Sequence, residues 1–414
     1  MMRFVQKQPL ALSVQRRREE ADLSAGVAFG FTRAGGALRG DIGVRRLPLP
    51  ALPAGVRAEA AFFGGGKCAV YSGGQMYVQG EEGFSLSSVA FSRLPVHASV
   101  YDGEDALLLS DGQKCALLSS SGLAEEEGIP AFAAAAYFGD RLWLASGIRL
   151  TYGAPDDIRD FSQAHGAGGY IDAPSPMGEI VALAAGSDGL FVFRERGLQL
   201  LAGRGEERGF SLRDLLSCAP VYGATAACDG ERAFWLAQDG LHVYGGDPPA
   251  SAPLFAGAAQ ASPRGSVYCG RYLLQADVRA ECGTRGVLAV FGEEEECVLP
   301  LAAEGLCGSA FCAGGEVFAL SAGGGGVRRF WESAASVPFG DRCTLEQVRI
   351  RAKGNIELRA RSDEGERIFR ISCDGRVRPL RAALAGREFS FLVRADTPAE
   401  VGALEAFYER GKTV

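Results

Sequence analysis

One pattern recurs along residues 67–331: a short apolar strand, a tight turn pairing Gly with Asp or Ser, a second apolar strand, another turn and a third strand. It reads KCAVYSGGQMYVQG at 67–80, HASVYDGEDALLLSDGQKCALLS at 97–119 and AFAAAAYFGDRLWLASGIRLTYG at 131–153. Copies follow at 179–203 and 222–246, more loosely at 265–292, and finally at 307–331, with equivalent first turns roughly 30 to 48 residues apart. Asp-Gly and Gly-Gly supply the positive φ that hairpin turns require. Strands of four to six residues between such turns make antiparallel meanders. One small meander cannot bury both its faces, so it must lean on another copy. Units of about 40 residues with three or four strands are β-propeller blades. The chain is therefore expected to be all-β, with a propeller of seven blades, six or eight being the alternatives, over residues 61–339. The first and sixth copies are the weakest. The middle strands LWLAS, LFVFR, AFWLA and VFALS carry the large side chains expected to fill the space between blades. Residues 1–60 form an N-terminal segment that is a candidate for the outer strand closing the ring. A β-sandwich also gives short strands at regular intervals, but it does not predict repetition of the two-hairpin pattern.

The pattern changes after Phe339. From Thr344 apolar residues alternate with Arg, as in Val348 and Ile350 against Arg349 and Arg351, a period of two that marks half-exposed antiparallel strands. Turns are expected at Lys353-Gly354-Asn355, Asp363-Glu364-Gly365 and Cys373-Asp374-Gly375. About six strands would then make residues 340–414 a small antiparallel β-sandwich of jelly-roll type. The last segment could be a helix, with Glu400, Leu404 and Tyr408 at i, i+4 spacing, but a strand is favoured.

Gly accounts for 57 of the 414 residues. Only five basic residues are Lys and only one residue is Asn, so part of that Gly excess reflects coding bias, and glycine spacing is the better guide. The net charge of −7 is unevenly placed: 15 basic and 12 acidic residues from Asp341 onward give +3, leaving −10 for the body. An acidic body argues against gripping nucleic acid, which needs clustered Lys and Arg, though DNA could slide past it. The eleven cysteines are scattered, none in CxxC, and read as buried thiols of a reducing compartment. The three histidines His97, His165 and His242 lie too far apart to suggest zinc. No apolar run approaches a membrane-spanning length. The N-terminus has a broken apolar run and no export signal, so folding in the cytoplasm is expected.

Catalytic signatures are scarce, and neither a cofactor nor a metal is expected. The tail AFYERGKT resembles the end of a phosphate-binding loop, but Ala406 stands where the first Gly belongs and no helix follows. Arg39-Gly40-Asp41 is a common tripeptide, and the Glu293–Glu296 run reads as a solvated turn. The most informative non-repeat stretch is 151–174, where Asp156, Asp157, Asp160 and Asp172 accompany Tyr152, Phe161 and Tyr170 among glycines and prolines. Paired carboxylates such as Asp156 and Asp172 could hydrolyse a glycoside. The favoured reading is structural: the aspartates cap turns and the aromatics pin an ordered loop.

The same stretch carries a resemblance. Arg141-Leu142-Trp143, the loop from Tyr152 to Ser162, the strand from Gly168 to Asp172 and the unit from Phe191 to Gly203 resemble the propeller region of tailed-bacteriophage structural proteins, most nearly the tail-nozzle and head-closure stabilisation family of short-tailed phages. The likeness covers roughly 65 residues. It implies a virion structural protein of the tail or head-to-tail closure, without catalysis. It further implies a homo-oligomeric ring, a hexamer among the candidates, docked to other tail or connector proteins, past which DNA travels without specific binding. Folding in the host bacterial cytoplasm and residence in the virion follow. A carbohydrate-binding or glycoside-hydrolysing propeller is the alternative.

Overall fold

The computed structural model describes residues 3–7, 27–34, 37–163, 168–203, 209–249, 251–280, 283–293, 295–323, 325–333 and 335–410. His165 and the Gly411–Val414 end of the phosphate-loop-like tail lie outside the described residues. Every strand pairing is antiparallel. Four meanders of four strands come first: Ala60–Gly64 to Phe84–Ala90, Val96–Tyr101 to Gly122–Glu125, Ala134–Phe138 to Gly169–Asp172, and Ile180–Ala185 to Ser211–Ser217. The fifth, Ala227–Cys228 to Gly240–Tyr244, has three strands, and the 3-10 turn Ala252–Phe255 packs beside it. The sixth runs from Arg264–Tyr268 to Glu296–Leu299. The seventh comprises Glu304–Cys307, Ala310–Ala313 and Glu316–Ala322, and its fourth strand comes from the other end of the chain: Ile42–Arg46 pairs with Glu316–Ala322.

The reason these meanders form one body lies in their middle strands. In Arg141–Ser146, Leu142 and Leu144 point into a core shared with the second sheet, while Trp143 and Ala145 point into one shared with the fourth. Successive residues of a strand face opposite ways, so a strand covered on both faces reads as an unbroken apolar run. The same division holds all round. Seven clusters of buried side chains each join two neighbouring sheets, and the last couples Cys312 and Val317 of the seventh sheet to Cys68 and Val70 of the first. From the second sheet to the seventh, first strands meet in sequence around the centre; Glu304–Cys307 returns to Ala60–Gly64, which in turn meets Asp105–Ser110 of the second sheet. The fold is a β-propeller.

Two features depart from the sequence reading. Arg329–Glu332, counted there with the seventh repeat, leaves the ring and pairs with Val27–Phe29 and Phe389–Ala395. Beyond it the chain makes four strands where about six were expected: Cys343–Ser362, Glu366–Gly386, Phe389–Ala395 and Glu400–Arg410. Of the three expected turns only Asp363-Glu364-Gly365 is one. Lys353-Gly354-Asn355 and Cys373-Asp374-Gly375 lie opposite each other inside two long paired strands, Gly354 against Cys373, where a register shift bends the ladder. The first half of Cys343–Ser362 takes Glu400–Arg410 as its second neighbour, and the second half takes Phe389–Ala395. The final segment is the favoured strand. The apolar face of this appendage buries Trp331, Leu345, Val348, Ile350, Leu358, Val393 and Tyr408.

Ring and appendage are continuous. Thr32–Ala34 pairs with the outer strand of the sixth sheet and with Ala37–Arg39, which pairs with Glu400–Arg410. Arg329 is buried at this junction and donates to the carbonyls of Val327 (2.9 Å) and Ile42 (3.1 Å). Gly40 of the Arg39-Gly40-Asp41 tripeptide is held there, since a Cβ on it would lie 2.5 Å from Arg329 Nε. Ten cysteines are described; all are unbridged, and seven are buried.

Gly305 tests the tightness of the ring. Its φ is +59°, and an added Cβ would sit 2.2 Å from the Glu59 carbonyl oxygen; Gly308 has φ +56° with open space around it. Gly308→Ala should cost about 1 kcal/mol from backbone strain alone. Gly305→Ala should cost about 3 kcal/mol or more, because the first and seventh sheets must separate. Chemical denaturation midpoints of the two variants check the difference.

Candidate functional site

The loop singled out in the sequence joins the third and fourth strands of the third sheet, Arg149–Tyr152 and Gly169–Asp172. Tyr152 is buried, its ring 5.0 Å from Trp143 and 5.4 Å from Phe210. Asp156 adopts φ +59° and its backbone N–H donates to the Asp140 carbonyl at 2.9 Å. The Asp157 carboxylate accepts the Arg159 N–H, and the Asp160 carboxylate accepts the Ser162 N–H, each at 2.9 Å. Hydrogen bonds from the Ser162 side chain and backbone hold the Asp160 carboxyl below its usual range. Phe161 is half-buried beside Ile158 in the core between the second and third sheets.

Asp172 is elsewhere. It sits opposite Arg149, at the far end of the strand pair from the loop, whereas Tyr152 sits opposite Gly169. Three residues of strand separate the two ends, roughly 10 Å. Arg149 grips Asp172 at 2.6 and 2.8 Å and lies 4.1 Å over the exposed ring of Tyr170. The structure thus gathers Asp156, Asp157, Asp160 and Phe161 into one loop, and places Asp172 and Tyr170 in a separate surface cluster. Asp156 and Asp172 do not face a common bond as an acid–base pair would.

The sequence reading missed Arg159, which does most to fix the loop. Its guanidinium contacts Asp102 at 2.8 Å and Glu126 at 2.9 Å, both on the second sheet's side. Hydrogen bonds to these carboxylates raise its pKa above the ordinary value. Only the position of an Arg among aspartates hinted at this, since the partners lie 57 and 33 residues away.

The second place where chemistry could gather is the axis. Each unit begins at the same rim, so the first strands run in one direction and define two mouths. The entry layer holds His97, Arg264 and Glu304; at the other end stand Phe63, Tyr101 and Tyr268, all exposed, from the first, second and sixth sheets. His97 and Arg264 are half-buried. The His97 ring lies 5.9 Å from Phe62. Burial, reinforced by the Arg264 charge, lowers its pKa to about 4. Burial pushes the Cys307 thiol up to about 12, with Arg264 opposing.

A third feature is a groove of about 840 Å³ on the appendage, lined by Arg328, Phe330, Glu357, Arg359, Arg370 and Arg394 among others. Phe330, Arg394, Glu357 and Arg370 form one cross-strand row. Arg359 (2.7 Å) and Arg370 (3.0 Å) hold the Glu357 carboxylate, keeping its pKa low. Among the described residues no group of three or more His, Cys, Asp or Glu side chains could hold a metal ion, and no helix is long and apolar enough to cross a membrane.

Two outcomes follow from these contacts. Arg159→Ala should lower stability by about 1 kcal/mol, an effect that shrinks with added salt because the clamp is partly exposed; melting curves at two ionic strengths check it. His97 has a folded pKa below its unfolded value of 6.5, so the stability it confers is complete above pH 6.5 and is lost as pH falls toward 4. Thermal stability should decline across that window, and His97→Gln should flatten the decline in melts at stepped pH.

No family model matches the chain, and no curated protein matches it. Among solved structures it is similar to PorZ, a bacterial surface component of the type-IX secretion system of Porphyromonas gingivalis, at 14% identity and a TM-score of 0.41 over 79% of this chain and 46% of that one. It therefore spans about half the length of PorZ. It is also similar to the AfRom2 CNH domain, at 10% identity and a TM-score of 0.41 over 68% of this chain and 98% of that one. A third similarity is to the N-terminal domain of Nup159, at 12% identity and a TM-score of 0.37 over 68% and 96% of the two chains.

Proposed function

We propose that the chain is a structural protein of a tailed-bacteriophage virion, a non-catalytic component of the tail or head-to-tail closure that assembles as a homo-oligomeric ring. The observation that carries this reading is the use made of the loop resembling that family. Its carboxylates cap turns, and its Arg159 ties the third sheet to the second. Such residues build a rigid platform, and a propeller offers flat faces and fixed loops for docking neighbours. Among the described residues the strand Glu366–Gly386, 21 residues long, pairs on one side only, which leaves its other edge for a partner. The acidic body supports passage of DNA without adhesion.

The chain, expressed alone and with its neighbouring gene products, should form rings visible by negative-stain microscopy, with a multiple of the 43.6 kDa subunit by light scattering. Mass spectrometry should find it in purified particles. Asp156→Asn with Asp172→Asn should leave assembly unchanged. A monomer under all these conditions, absent from particles, overturns the reading.

The aromatic side chains Phe63, Tyr101 and Tyr268 at one mouth favour a second reading, a sugar-binding propeller. Glycan binding abolished by Tyr101→Ala with Tyr268→Ala, in a chain that forms no rings, would establish it instead.

A further inference from the structure

We infer that the arginine-lined groove of the appendage receives the Glu81-Glu82 hairpin tip of a second copy of this chain. The inference rests on the ring-forming reading and names the contact that would build the ring. The groove, about 840 Å³, is lined by five arginines against Glu357 and Asp396, which leaves it three positive charges in excess. Glu357 does not neutralise the others, because Arg359 takes its Oε1 at 2.7 Å and Arg370 its Oε2 at 3.0 Å. Buried Arg329 donates to the carbonyls of Val327 and Ile42. Arg328 and Arg394 are exposed, and among the described residues neither guanidinium has a hydrogen bond or ion pair. Phe330 lies opposite Arg394 and two residues after Arg328, so both unengaged arginines adjoin one aromatic residue. Guanidinium forks beside an apolar surface suit carboxylates carried on a partly apolar segment.

Charge selects the occupant. The body carries −10 and the appendage +3, so a long polyanion such as nucleic acid is repelled by most of the molecule, whereas another copy brings negative surface to a positive groove. Where acidic residues adjoin one another among the described residues of the ring, one of each pair is engaged: Glu104 accepts from Ser120, Glu126 and Asp157 from Arg159, and Glu295 from Arg271. Glu81 and Glu82 are the exception; both are exposed, and among the described residues neither carboxylate has a hydrogen bond or ion pair. They are the central residues of a turn in which the Gly80 N–H donates to the Gly83 carbonyl at 2.8 Å, between Gln75–Gln79 and Phe84–Ala90. Phe84, next to the turn, packs against the core shared by the first and seventh sheets, which fixes the tip before it docks. Exposed Leu86 follows on the outer strand and matches the apolar character of Phe330. Groove and tip are different patches of one chain, so the contact is heterologous, the kind that generates rings when its rotation closes. A turn buries less than the roughly 1,200–2,000 Å² of a standard interface, so it anchors a wider contact.

Sedimentation velocity on the full chain over a concentration series tests it. The parent should self-associate, less so as salt is added. Glu81→Lys with Glu82→Lys, and separately Arg328→Glu with Arg394→Glu, should each weaken association at least about tenfold. A chain carrying all four substitutions should return to within about threefold of the parent, since the reversed charges again face each other. Glu125→Lys with Glu127→Lys makes the same change of net charge elsewhere and should associate as the parent does. If the arginine reversal fails to fold, Arg328→Ala with Arg394→Ala should still weaken association. Parent-like association of the tip and groove variants, or no recovery in the fourfold variant, overturns the contact and leaves the ring reading standing. A parent that stays monomeric overturns both. Retention of a single-stranded oligonucleotide by the parent and its loss in the arginine variant, with self-association unchanged, would give the groove to nucleic acid instead.

Discussion

Burial on both faces of every small sheet is the constraint from which the rest of this structure follows. A four-stranded meander with Leu142 and Leu144 on one side and Trp143 and Ala145 on the other has no solvent face for its middle strand. It needs two neighbours, and each neighbour needs two more, until the series meets itself. At about 25 cal/mol per Å² of apolar surface removed from water, each shared core is worth many kcal/mol before the entropy of ordering is subtracted. Removing one unit would expose two of these cores at once. Charged side chains work within that frame: Arg159 joins the second and third sheets at the rim, and buried Arg194 bonds to the carbonyls of Ala173 and Gly178 leading into the fourth.

Much of this was legible in the residues because propeller units obey local rules. Turns such as Asp102-Gly103-Glu104 and Gly139-Asp140 stand at strand ends because φ turns positive there, and continuous runs such as Ala233–Ala237 are doubly covered strands. The all-β class follows from those rules. The appendage was misread at two of its three turns because Gly354 and Gly375 look the same in a chain whether they reverse it or bend it. What distinguishes them is the opposite strand, and Gly354 lies against Cys373 in a ladder too long for any local pattern to announce. Arg329–Glu332 was misplaced for a kindred reason: its apolar character suits a ring strand, and only Phe389–Ala395 and Val27–Phe29 reveal the competing sheet.

The candidate site was legible in part. An ordered loop with aspartates closing turns could be read from 151–174, since Asp157 and Asp160 bond to amides two residues on, a local habit of the residue type. That Asp172 would face Arg149 instead depends on strand register, and that Arg159 would reach Asp102 depends on how the second and third sheets lie together. His97 and Arg264, 167 positions apart in the chain, stand at the same rim only because a closed ring brings first strands to one centre.

The strand Ile42–Arg46 has a consequence in time. It is made early, but its only place in the seventh sheet is beside Glu316–Ala322, some 270 residues later. During synthesis the first six units can stack as they emerge, while this strand waits without a partner. Val27–Phe29 and Ala37–Arg39 wait with it, for the still later Arg329–Glu332 and Glu400–Arg410, while Thr32–Ala34 waits for Glu296–Leu299. Closure is then a single late event that joins the beginning of the chain to its end, and a ribosome-bound fragment lacking the last hundred residues holds an open arc with a sticky edge at either side.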